Sequence, residues 1–96
     1  MIRGFRDRVA EALFTGTAAR GLRRFPPGLK VAAKRKLMKL AAAGDLKDLT
    51  VPPGNRLETL KGRLQGMHSI RINDQWRVVF RWDGGHADDV EILDYH

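Results

Sequence analysis

At 96 residues the chain has room for one compact core, which hides about two thirds of the unfolded surface, and no room for two. Hydrophobic residues make up 43% and charged residues 30%, which excludes the composition of a disordered chain. Lys and Arg total 18 against 11 Asp and Glu, a formal charge of +7 that draws polyanions such as nucleic acid, and zero cysteines exclude disulfides, thiol nucleophiles and Cys-based zinc sites.

In residues 5–14, Phe5, Val9, Ala12 and Leu13 fall at helical spacing with Arg6, Asp7, Arg8 and Glu11 between them. This predicts a short helix that stops at Thr15-Gly16-Thr17. Arg3, Arg6 and Arg8 break up the apolar residues of the N-terminus, so no signal-peptide core is expected there, and no apolar run is long enough to span a bilayer. The expectation is a cytoplasmic protein with no membrane contact. The basic stretch at 20–24, followed by Pro26-Pro27-Gly28, reads as a connection. Leu29, Ala33, Leu37, Leu40 and Ala41 then form one apolar stripe, with Lys30, Lys34 and Lys39 off it and Gly44 as the stop of a second helix.

Beyond Asp45 the pattern changes. Pro52-Pro53-Gly54-Asn55 is turn chemistry, and the apolar period after it is two. Strands are predicted at 68–72 and 76–82 around the link Asn73-Asp74-Gln75, and at 88–95 after the turn Asp83-Gly84-Gly85, with a short strand near 57–60 ahead of them. The expected fold is α+β: a single domain over 1–96 with two N-terminal helices packed on one face of a mostly antiparallel sheet of about four to five strands.

A three-residue link sets Ile72 opposite Trp76, Ile70 opposite Val78 and His68 opposite Phe80, which makes one face apolar apart from His68. The other face then carries Ser69 opposite Val79 and Arg71 directly opposite Arg77, with Arg81 further along. Opposed arginines repel unless an anion sits between them, and a phosphate would serve. The bland alternative is a solvated face whose arginines pair with local carboxylates such as Asp74 or Glu91. Lys61 could extend the basic surface into a groove that reads phosphates rather than base edges. The chain ends in Asp94-Tyr95-His96, an acid, a phenol and an imidazole, of the kind that metal-free RNA cleavage uses to move protons. His68, on the apolar parity, reads as a core residue, and His86 as a turn residue. No histidine pair has metal-site spacing, so no metal or cofactor is expected.

Three stretches in order, Asn55-Arg56-Leu57-Glu58-Thr59-Leu60-Lys61-Gly62, His68-Ser69-Ile70-Arg71-Ile72-Asn73-Asp74-Gln75-Trp76-Arg77-Val78-Val79-Phe80 and Val90-Glu91-Ile92-Leu93-Asp94-Tyr95-His96, closely resemble the HigB branch of the RelE/ParE toxin superfamily. The resemblance implies a microbial-ribonuclease-like fold and metal-independent cleavage of messenger RNA in the ribosomal A site, with contacts to ribosomal RNA. It also implies neutralisation by a HigA-type helix-turn-helix antitoxin, through which alone operator DNA would be met. By position, Lys61 and Arg77 match residues that hold the scissile phosphate, and Asp94, Tyr95 and His96 match the catalytic tail. Some family members carry a histidine where this chain has Glu58, so the resemblance leaves Glu58 as a candidate base and His96 as the acid. Arg71 enters from the cross-strand geometry and not from the family pattern. The alternatives are a non-enzymatic, gyrase-poisoning toxin of the ParE type and an RNA-binding module that cuts nothing.

Overall fold

A computed structural model describes residues 1–94. Helix α1 spans Arg8–Thr15, helix α2 Pro27–Ala42, and four strands follow: β1 Glu58–Thr59, β2 Met67–Arg71, β3 Trp76–Asp83 and β4 His86–Asp94. They form one sheet in the order β1-β2-β3-β4 with every neighbouring pair antiparallel, so the predicted α+β architecture is the observed one.

The first helix starts later than its apolar spacing predicts. Asp7 caps α1 by accepting from the Val9 N–H at 2.9 Å, and Gly16, at φ 80°, closes it with a bond to the Ala12 carbonyl. Phe5 is therefore not helical. Residues 1–6 run parallel along the outer edge of β4, with Ile2 bridging Ala87 and Phe5 bridging Val90, and the Arg3 N–H reaches the Ala87 carbonyl at 2.7 Å. This segment covers an edge that would otherwise offer unpaired backbone groups to another chain. Pro27 opens α2 at its first position, where a missing N–H costs nothing. The basic stretch at 20–24 is a 3-10 turn, and another at Leu46–Thr50 is closed by reciprocal bonds between Asp45 and Asp48.

Between the helices and the sheet lies the core. Leu29, Ala33, Leu37 and Leu40 of α2 and Val9, Ala10 and Leu13 of α1 meet Ile70, Val78, Phe80, Ala87, Val90 and Ile92. Full burial of a side chain such as Phe80 or Leu37 is worth roughly 1.5–3 kcal/mol. Asn73 holds the β2–β3 link by accepting from the N–H groups of Gln75 and Trp76, both at 2.8 Å. That fixes the register, which pairs His68 with Phe80, Ser69 with Val79, Ile70 with Val78 and Arg71 with Arg77 as the sequence predicts. The β3–β4 ladder departs from simple alternation: Val79 faces Glu91 but Arg81 faces Asp88, so β4 carries one extra residue, and Asp89 sits there at φ 51°. The bulge lets Ala87 and Val90 both face the helices although they are three residues apart.

Candidate active site

On the face turned away from the helices, Arg77 is only 9% exposed. Its Nη1 donates to Ser69 Oγ at 2.9 Å and to the Arg56 carbonyl at 3.1 Å, and its Nη2 lies 3.3 Å from Glu58 Oε1. Each partner is set by a separate local rule. Ser69 comes from the strand register, and Glu58 from the pairing of β1 with β2, in which it faces Ser69. Arg56 follows the turn at Pro53–Asn55 and adopts the left-handed region, φ 44° and ψ 57°. A planar guanidinium bonded at three points cannot rotate freely, so its direction is fixed before any ligand arrives.

Beside this cation the same sheet face also buries apolar side chains. Leu60, Met67 and Val79 form a second buried cluster, with Leu64 and Leu93 packed against it. The signal in the sequence is the unbroken apolar run Val78-Val79-Phe80, which marks a strand covered on both faces.

The other predicted residues are distributed unevenly. Arg71 lies directly across from Arg77 and pairs with Asp74 in the link, as the bland reading expects. Arg81 faces Met67 and lies 3.5 Å from Asp89, about 13 Å along β3 from Arg77 at roughly 3.3 Å per residue. Glu91, the other local carboxylate considered for these arginines, lies 3.6 Å from Arg6 instead. Lys61 is exposed and extended, just beyond the bond from the Leu60 N–H to the Met67 carbonyl, so its backbone stands at the Met67 end of the face. Asp94 pairs with Trp76, on the parity that packs toward the helices, and its carboxylate accepts from Gln75 Nε2 at 2.9 Å. Tyr95 and His96 lie outside the described residues. The structure thus brings Arg77, Glu58 and Arg71 together, with Arg81 and Lys61 toward one end and Asp94 toward the other.

Two imidazoles lie among the described residues. His68 is half-buried, its Nδ1 is 3.2 Å from Thr59 Oγ1, and burial pushes its pKa below the ordinary histidine range. His86 begins β4 opposite Asp83 instead of lying in the turn. Sequence reasoning missed Ser69 and the Arg56 carbonyl as partners of Arg77. A serine on the arginine parity was the available signal for the first, while a backbone carbonyl leaves no trace in residue identity.

Residues 3–96 match the family model of the RelE-like toxin of type II toxin-antitoxin system HigB. The chain is 41% identical over 83 residues to Toxin HigB-1 of Vibrio cholerae serotype O1, covering 86% of this chain and 85% of that protein. It is 32% identical over 73 residues to an uncharacterized protein of Haemophilus influenzae, covering 76% of this chain and 71% of the other. Among solved structures it resembles the YoeB-YefM complex from Staphylococcus aureus, with a TM-score of 0.57, 17% identity, and 100% of this chain and 98% of that one covered. A heterotetrameric YoeB-YefM toxin-antitoxin complex from the same organism gives a TM-score of 0.55 at 20% identity, over 100% of this chain and 98% of that one. At these identities the likeness is one of fold. No helix among the described residues is long and apolar enough to cross a membrane.

Proposed function

The chain belongs to the HigB-like, RelE-like toxins of type II toxin-antitoxin systems, and from that premise we propose that it is a metal-independent endoribonuclease that cuts messenger RNA in the ribosomal A site. The observation that carries this reading is the Arg77 guanidinium, nearly buried and oriented by Ser69 and the Arg56 carbonyl, with the half-exposed Glu58 carboxylate 3.3 Å away. A fixed cation beside a carboxylate supplies two of the parts that cleavage at a 2′-hydroxyl requires.

In the proposed reaction Glu58 takes the proton of the 2′-hydroxyl as its oxygen attacks the adjacent phosphorus. The bond from phosphorus to the 5′-oxygen breaks, and that oxygen leaves with a proton from His96. The products are a 2′,3′-cyclic phosphate, which a water molecule can hydrolyse to a 3′-phosphate and a 2′-hydroxyl, and a free 5′-hydroxyl. Arg77 holds a non-bridging oxygen as negative charge builds on the five-coordinate phosphorus, and Lys61 approaches the same group from the Met67 end. Tyr95 places the nucleotide, and Asp94, tied to Gln75, anchors the strand that delivers the tail. Arg71 and Arg81 take flanking phosphates, in the messenger or in ribosomal RNA, and each exchanges an exposed carboxylate partner for one.

The protein works in the cytoplasm, held inactive by a HigA-type helix-turn-helix antitoxin, and meets operator DNA only through it. The +7 charge suits both an RNA target and an acidic antitoxin segment. The test is to add purified toxin to programmed ribosomes and map the cut ends. Fragments with 5′-hydroxyl and cyclic or 3′-phosphate ends are expected, with no magnesium requirement beyond that of the ribosome. Intact message, together with inhibition of gyrase supercoiling in a parallel assay, would overturn the reading in favour of a gyrase poison.

A further inference from the structure

One residue before Arg56, Asn55 is a fully buried polar side chain that the proposed chemistry does not use. Its Nδ2 donates to the carbonyls of Leu49, at 3.1 Å, and Val51, at 3.2 Å, and its Oδ1 accepts from Lys36 Nζ on α2. Its own N–H closes on the Pro52 carbonyl at 2.9 Å. One side chain thereby joins both ends of the 49–55 segment to the helix. Only a carboxamide of this length can do so, because aspartate lacks the two donors and glutamine adds a methylene to a filled slot.

The next residue is Arg56, whose left-handed backbone presents its carbonyl to Arg77 Nη1. A non-glycine residue stays in that region only where its surroundings over-determine it. Here Asn55 provides the constraint on one side and the pairing of β1 on the other. Lys36 is an unusual donor for a neutral amide. Burial, and then Lys39, Arg71 and Arg35, push its pKa down.

We propose that Asn55 is a positioning residue for the Arg77 guanidinium, acting through the Arg56 carbonyl, and that Lys36 clamps it in place. The orientation of Arg77 stands on geometry alone. Its consequence for catalysis rests on the cleavage reading, so the test has two arms.

In the first arm, nitrogen-15 spectra of the full chain report rotation of the Arg77 guanidinium, its signals assigned by their loss in Arg77→Lys. Resolved, slowly exchanging Nη–H signals are expected for the wild type. They should merge in Asn55→Ala, broaden to a smaller degree in Lys36→Met, and return in Lys36→Arg. Should Asn55→Ala fail to fold, Lys36→Met carries the measurement, because it leaves both amide donors of Asn55 in place.

In the second arm, single-turnover cleavage on programmed ribosomes should slow by about tenfold to a hundredfold in Asn55→Ala, as expected for a misplaced reacting group. The half-saturating toxin concentration should be unchanged, and adding the substitution to Arg77→Ala should bring no further loss. Arg77 signals that stay resolved in both variants, or losses that multiply with that of Arg77→Ala, overturn the proposal. Failure of the wild type to cut would count against the cleavage reading, while the spectra still decide the positioning.

Discussion

On the face turned to α1 and α2, Ile70, Val78, Phe80 and Val90 meet apolar partners and are fully buried, whereas on the opposite face of the same strands Ser69, equally buried, hydrogen-bonds a guanidinium. The first face stands on volume and burial, and any apolar side chain of the right shape serves it. The second stands on direction: Arg77 needs an oxygen at each of three angles, and Leu60, Met67 and Val79 form a small buried cluster on the same face. A precise polar site is affordable here because the residues alternating with it anchor the strands in a close-packed core. The two faces should therefore fail in different ways when disturbed.

The largest effect is expected on the core face. Phe80→Ala should lower unfolding free energy by about 3–5 kcal/mol in urea titration, since the ring is fully buried. Phe80→Leu should lose much less and still cut. On the other face, Glu58→Gln should leave the unfolding midpoint close to that of the wild type, because the carboxylate is half-exposed, yet slow single-turnover cleavage by about a hundredfold or more if Glu58 is the base. A melting shift as large as that of Phe80→Ala, with cleavage intact, would erase the distinction between the faces.

Arg71→Ala sharpens the comparison within one rung of the ladder. Its partner Asp74 is exposed, so stability should change by no more than about 1 kcal/mol. Ribosome binding should weaken, and the slope of log affinity against log salt should become shallower by roughly 0.7, the value for one phosphate contact on a single strand. An unchanged slope would return Arg71 to the role of a surface ion pair.

The smallest effect concerns His68, on the helix side. Burial depresses its folded pKa, so the unfolded chain binds the proton more readily than the folded one. The stability it contributes is complete above the unfolded value, about 6.5, and is lost as pH falls through the folded pKa. His68→Gln should flatten the melting temperature of the protein across that acid window.

Much of this division is legible in the residues. A three-residue link and a period of two fix the hairpin, and with it Arg71 opposite Arg77, because a one-residue slip would turn every apolar side chain outward. The path of residues 1–6 is not legible, since Phe5 continues a helical spacing while its backbone is needed to cover β4. Nor is the bulge at Asp89, which breaks the alternation that pattern reading assumes. At the site, the nearness of Glu58 to Arg77 follows from a strand of only two residues, too short to be placed by periodicity, and is suggested by family resemblance instead. Asn55 reads as turn chemistry, and Arg56 only as part of the stretch that resembles the family. That they turn one carbonyl toward a distant guanidinium depends on backbone direction, which no residue name encodes.

The central claim is that a directed Arg77 carries negative charge off a phosphate in the transition state. Single-turnover cleavage of A-site message by Arg77→Ala, beside the wild type and at saturating toxin, tests it most directly. The account predicts a rate lower by about a hundredfold to a thousandfold, with ribosome binding and the folded state retained. An undiminished rate in a folded, ribosome-bound variant would contradict it.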